Sequence, residues 1–169
     1  MYAGHAALAL LAKAKRPRVP LAVLVPVAFA PDWIEWVLTA FGRRNQELSH
    51  SLVSIGIVAT LVALIYALSR RDRSGAFAVW LTYVSHWAAD FFTGLKPTWP
   101  GGPTVGLYLY KRPIADAAIE FAVIALCWIA YRQSIPAVVR HRAIGWLVPF
   151  GLVAMHVAFL FATNPALRP

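Results

Sequence analysis

The sequence predicts an all-α fold, a polytopic membrane bundle of one short N-terminal helix and about five spans. Three observations carry that expectation. Hydrophobic residues make up 60% of the chain and the mean hydropathy is +0.62. Charged residues are only 14%, against roughly 25% in soluble domains. Apolar runs of spanning length alternate with short basic clusters, the pattern of membrane segments separated by topology-setting loops. No repeat of about 20–50 residues is visible, and a single membrane domain over residues 1–169 accounts for everything.

Each element follows from the chain in order. Residues 1–12 read as a short helix carrying His5. At about 18 Å it is too short to span alone. Residues 13–18 form a basic turn in which Pro17 breaks the helix. Residues 19–41 are long enough to span, interrupted by Pro20, Pro26 and Pro31 and carrying Asp32 and Glu35 in the far half. The order of basic stretch, apolar core and Ala28-Phe29-Ala30 imitates a signal peptide, but Pro31 after the cut and the late basic region argue for retention of this segment.

Residues 42–49 are a polar turn, and His50 opens a second span expected over residues 50–68. A basic loop at residues 69–74 leads to a third span, residues 75–92, which ends in Ser85-His86-Trp87-Ala88-Ala89-Asp90. The longest loop, residues 93–112, is rich in Gly and Pro, with Trp99, Tyr108 and Tyr110 suited to a membrane interface. A loop of that length reads as a binding surface rather than a connector. The fourth span, residues 114–131, carries Asp116 and Glu120 in its first two turns, and the fifth, residues 143–163, carries His156. The single cysteine, Cys127, can form no internal disulfide and reads as a small core residue.

Net charge is +9 and the sequence pI is about 10.3. Because the cations sit in short loops between apolar runs, they point to membrane lipids and topology rather than to nucleic acid. Alternate sides carry ten and six Lys or Arg, and the excess places the N-terminal side in the cytoplasm.

The ionisable residues inside or beside the spans carry the functional expectation. His86 and Asp90 are one helical turn apart and project from one face. Groups at such depth are costly unless paired, hydrated or coordinated. Asp32, Glu35, His50, Asp116, Glu120 and His156 all fall at the same membrane side, which argues for one cavity open to the outer face. His5 reaches that region if the first helix folds back as a hairpin, lying about 12 Å from the basic turn with Asp32 at about 21 Å.

Four segments, Gly4-His5, Pro31-Asp32, Ser49-His50-Ser51-Leu52 and Tyr83-Val84-Ser85-His86-Trp87-Ala88-Ala89-Asp90-Phe91-Phe92-Thr93, resemble the small bacterial inner-membrane proteins of the YdjM-like metal-dependent hydrolase family. They occur in family order over residues 4–106. The resemblance implies a metal site of His5, Asp32, His50, His86 and Asp90, and a distant likeness to zinc-dependent phospholipase C. Two positions depart from the family's pattern. Ile34 stands where a second aspartate is usual, and Asn45-Gln46-Glu47 replaces His-Arg-Gly, leaving Glu35 and Glu47 as available substitutes.

Imidazoles with carboxylates match zinc, with manganese or iron as alternatives. Glu35, Asp116 and Glu120 are the candidates for a general base or for orienting a metal-bound histidine. The alternative for Asp116 and Glu120 is that they pair with Lys111 and Arg112 or face water, and for His156 it is a structural hydrogen bond. The expected function is hydrolysis of a phosphoester or related bond of a lipid or head group at the outer interface. A haem protein using two of His50, His86 and His156, and a non-catalytic scaffold or transporter with a structural metal, are the other classes.

Overall fold

A computed structural model of the chain describes residues 3–43, 46–140 and 144–163. Met1 and Tyr2 of the expected first helix, Arg44 and Asn45 of the expected polar turn, and Ala143 at the start of the expected fifth span lie outside the described residues. The chain is an all-α membrane bundle: α1 (Ala3–Lys15), α2 (Leu21–Ala40), α3 (Gln46–His50), α4 (Leu52–Arg70), α5 (Arg73–Thr93), α6 (Pro113–Ser134), α7 (Ala137–Arg140) and α8 (Ile144–Thr163). Between α5 and α6 lie two short strands, β1 (Lys96–Pro97) and β2 (Thr104–Val105), and a 3-10 turn at Leu109–Lys111.

Three helices, α2, α4 and α6, are both long enough and apolar enough to cross a membrane, with mean hydropathies of 1.6, 2.4 and 1.8. About five were expected. The 21-residue α5 has the length, about 31 Å, but Ser74, Thr82, Ser85, His86 and Asp90 dilute its apolar character. In α8 the apolar stretch is the shorter Trp146–Ala162. Outward faces confirm the lipid setting. On α4, Leu61, Leu64, Ile65 and Leu68 are all more than half exposed, a run of bare aliphatic surface that water would not tolerate.

The helix boundaries have local causes. Pro20 precedes α2 with φ −65°, the angle its ring imposes. Ser51, extended at φ −69° and ψ 145°, caps α4 by accepting a hydrogen bond from the Ser54 amide at 3.2 Å, a cap worth about 1 kcal/mol. That cap separates His50 from the span it was expected to open: His50 instead ends the five-residue α3. Asp72 caps α5 in the same way, accepting from the Gly75 amide at 2.8 Å. A Cβ at Gly75 would strike the Asp72 carboxylate and the Tyr66 ring, so the tight α4–α5 connection depends on a residue without one.

Two apolar clusters hold the bundle. One joins α1, α2, α4 and α5 through Ala9, Val19, Leu24, Val27, Ile55, Ala59, Val79 and Tyr83. The other joins α1 to α6 and α8 through Ala3, Ala7, Ile124 and Cys127, with Leu152, Val153 and Met155 packed against them. Cys127 is buried, as its surroundings in the sequence imply. The small residues Ala3, Gly4 and Ala7 let α1 lie close against α6, its most extensive neighbour. The short helix α1 is therefore the wedge between the two halves.

Candidate metal centre

Four elements bring five side chains to one point. His5 comes from the first turn of α1, Asp32 from the far half of α2, His50 from the end of α3, and His86 and Asp90 from the last two turns of α5. All but Asp32 are nearly inaccessible; the Asp32 side chain is 27% exposed and marks the way in.

At the centre are two imidazole nitrogens and two carboxylate oxygens. His50 Nε2 lies 3.3 Å from Asp32 Oδ1 and 3.8 Å from Asp90 Oδ2, and His86 Nε2 lies 3.6 Å and 3.4 Å from the same two oxygens. Donor atoms held about 2.0–2.1 Å from one tetrahedral ion sit roughly 3.3–3.4 Å apart. The four nitrogen–oxygen separations, 3.3 to 3.8 Å, are close to that spacing, and the donors fall into two overlapping triads, one of His5, Asp32 and His86 and one of His50, His86 and Asp90.

Outer contacts aim both imidazoles. His86 Nδ1 donates to the Ala28 carbonyl at 2.8 Å; since a carbonyl only accepts, the proton is on Nδ1 and the Nε2 lone pair faces the carboxylates. His86 Nε2 is buried and has no hydrogen-bond partner among the described residues. His50 is set by a relay: Ser49 Oγ donates to Glu35 Oε2 at 2.6 Å and lies 2.7 Å from His50 Nδ1. With the hydroxyl proton directed at Glu35, the Ser49 oxygen accepts from Nδ1–H, again leaving Nε2 bare. Metal-binding histidines are held in this way through their second nitrogen.

His5 stands slightly apart. Its ring stacks on His86 with centroids 3.8 Å apart and 11° between planes, and its Nε2 is 3.2 Å from Asp90 Oδ1. Asp90 therefore shows one oxygen to His5 and the other to His50 and His86. Lys96, on β1, places Nζ 2.8 Å from Asp90 Oδ2. Burial holds the His50 imidazole below its ordinary pKa, with the neighbouring Asp32 carboxylate pulling the other way, so the ring is neutral at pH 7.

The remaining candidates separate from this centre. Among the described residues Glu35 reaches it through Ser49 and His50, and Glu47 is exposed on α3. Asp116, Glu120 and His156 gather on their own, with ligand atoms within 4.8 Å of one another. Neither Lys111 nor Arg112 forms an ion pair with Asp116 or Glu120: Lys111 lies over the Tyr108 ring instead, 4.9 Å from its centroid. His156 makes no hydrogen bond through either ring nitrogen among the described residues, so the structural bond expected for it is not found. The single cavity inferred from depth is two clusters.

Lys96, Ser49 and the Ala28 carbonyl carry roles the sequence reading did not assign. Lys96 had only its loop charge to announce it. Ala28 acts through a backbone carbonyl, which no side-chain pattern in the sequence announces.

The chain matches no family model, no curated protein and no solved structure.

Proposed function

We propose that the chain is a membrane-embedded, metal-dependent hydrolase of the YdjM-like kind, acting on a phosphoester or related bond of a lipid or head group. The supporting observation is the close approach of His50 Nε2 and His86 Nε2 to Asp32 Oδ1 and Asp90 Oδ2, with both histidines aimed by their other nitrogen. Two nitrogens and two hard oxygens suit zinc, with manganese or iron as the alternatives by donor type. Zinc held by three of these donors, such as His50, His86 and Asp90, would keep one position for water and would supply a nucleophile at neutral pH by lowering that water's pKa to about 7.

The chain's own residues do the rest. Asp32 holds the accessible side, through which water and substrate reach the buried donors. Lys96 offers an ammonium beside Asp90, placed to pair with an anionic phosphoryl oxygen. Glu35, through Ser49, fixes the His50 ring and makes it a stronger donor. His5, stacked on His86 and bonded to Asp90, keeps both from turning away.

In this reading the protein sits in the bacterial inner membrane, with residues 69–74 in the cytoplasm and residues 93–112 outside. Cysteines introduced at Ser74 and Thr104 test that orientation: labelling of Thr104 from the cytoplasmic side reverses it. The function itself is tested on protein purified in detergent by elemental analysis and by release of a phosphorylated head group from mixed micelles. Wild type is expected to hold metal and release product, while His86→Ala and Asp90→Ala lose both. Full metal content in those variants, on folded protein, rejects the site.

A further inference from the structure

The second cluster has the makings of a site in its own right. Asp116 and Glu120 stand one turn apart at the start of α6, and His156 faces them from α8. All three are buried to 1% exposure or less. His156 Nδ1 lies 3.6 Å from Glu120 Oε2, too long for a hydrogen bond. The other Glu120 oxygen, Oε1, accepts the Gly4 amide of α1 at 2.7 Å, which fixes the carboxylate with Oε2 toward His156. Both carboxylate oxygens of Asp116 and both ring nitrogens of His156 lack a hydrogen-bond partner among the described residues.

Polar atoms buried in apolar surroundings are ordinarily satisfied, and the two Asp116 oxygens with the unprotonated nitrogen of His156, gathered beside Glu120, call for a ligand that accepts lone pairs. A cation does so; a neutral organic ligand does not fit among three side chains whose donor atoms lie within 4.8 Å of each other. We propose that Asp116, Glu120 and His156 form a second site, separate from the His50–His86 centre, for one divalent ion of the zinc, manganese and iron group. Two carboxylates and one imidazole from facing helices are a donor set for such ions, and three protein donors leave room for water to complete the shell. The ion ties α8 to α6. Through Glu120 and the Gly4 amide it also steadies the turn of α1 that presents His5. The assignment does not depend on the hydrolase reading.

The test is metal stoichiometry and affinity on full-length protein in detergent, stripped with chelator and titrated with Zn²⁺ or Mn²⁺ alone. Two variants address the site: Asp116→Asn with His156→Gln, and Glu120→Gln, whose amide oxygen still accepts from Gly4 N–H so that the helix contact survives. Relative to wild type, each is expected to lose one equivalent of ion or to bind it at least about 10-fold more weakly. A His86→Ala, Asp90→Asn variant is expected to keep that equivalent. If wild type binds only one ion and its loss follows the Asp116 and His156 changes alone, the second site stands and the hydrolase centre falls. Wild-type stoichiometry and affinity in both second-site variants, or an apo-like His86→Ala, Asp90→Asn protein that is helical and monodisperse, overturns the second site.

Discussion

Both polar clusters set histidine against carboxylates, and they differ in how their histidines are held. In the His50–His86 centre each central imidazole has an outer partner on Nδ1, the Ala28 carbonyl in one case and Ser49 backed by Glu35 in the other. In the α6–α8 cluster His156 has none among the described residues, and only the edge of Phe121, with centroids 5.5 Å apart, limits its ring. Outer partners set tautomer, orientation and basicity, and their loss costs about 10–100-fold in metal affinity. The centre at α3 and α5 is thus organised without an ion, whereas the His156 ring of the α6–α8 cluster would have to be ordered by the ion proposed for it.

The sharpest way to break that comparison is to remove a central donor. His86→Ala or Asp90→Ala should weaken metal binding at the first centre by more than about 100-fold, since even an outer partner is worth up to that factor; competition against a chelator of known affinity measures it. Removing the relay should cost less. Ser49→Ala leaves every central donor in place and frees the His50 ring, for an expected loss of about 10–100-fold in affinity, while an equivalent outer change does not exist for His156. A Ser49→Ala protein with wild-type affinity would show that the relay does not organise the site.

Acid should act more gently than either substitution. Metal binding needs neutral imidazole, and protonation opposes it. Burial lowers the pKa of His50, so its ring stays neutral to a pH below the ordinary histidine value of about 6.5. Metal held at the first centre should persist down to about pH 6 and be released below it, and any hydrolysis should fall over the same range. Release beginning above pH 7 would contradict this. The smallest effect concerns the fold alone: Asp72→Ala removes the α5 cap and should destabilise the bundle by about 1 kcal/mol without changing metal stoichiometry, read from unfolding in mixed micelles.

The bundle and the membership of the first centre were legible in the sequence because they rest on local signals. Hydropathy marks the helices, and the four-residue spacing of His86 and Asp90 puts them on one face whatever else the chain does. Assigning His5, Asp32 and His50 to the same point needed the resemblance as well as depth, and the structure does bring them together. Depth alone misled where α1 intervenes. Asp116, Glu120 and His156 lie at the same level as the others, yet the wedge of α1 separates them, with Gly4 turned to Glu120 and His5 to Asp90. The break at Ser51 was hidden because a serine inside an apolar run is unremarkable until its backbone is extended. Lys96 was out of reach because its position comes from a loop folded back on α5, and no periodicity reports such a return.

That return has a consequence for the charge it carries. Leu107 donates its amide to the Phe91 carbonyl at 2.7 Å, the Thr98 amide bonds the Pro103 carbonyl at 3.0 Å, and Lys96 pairs in register with Val105 across the two strands. Gly106, at φ +150°, sits so close to the end of α5 that a Cβ would collide with the Gly94 and Phe91 carbonyls. The loop is latched by backbone atoms, which neither salt nor pH in the neutral range disturbs. Lys96 is held near the centre by that latch independently of its attraction to Asp90. When a cation takes over the charge of Asp90, the lysine is not released with it: the ammonium stays tethered at the mouth of the site, its electrostatic partner exchanged and its address unchanged.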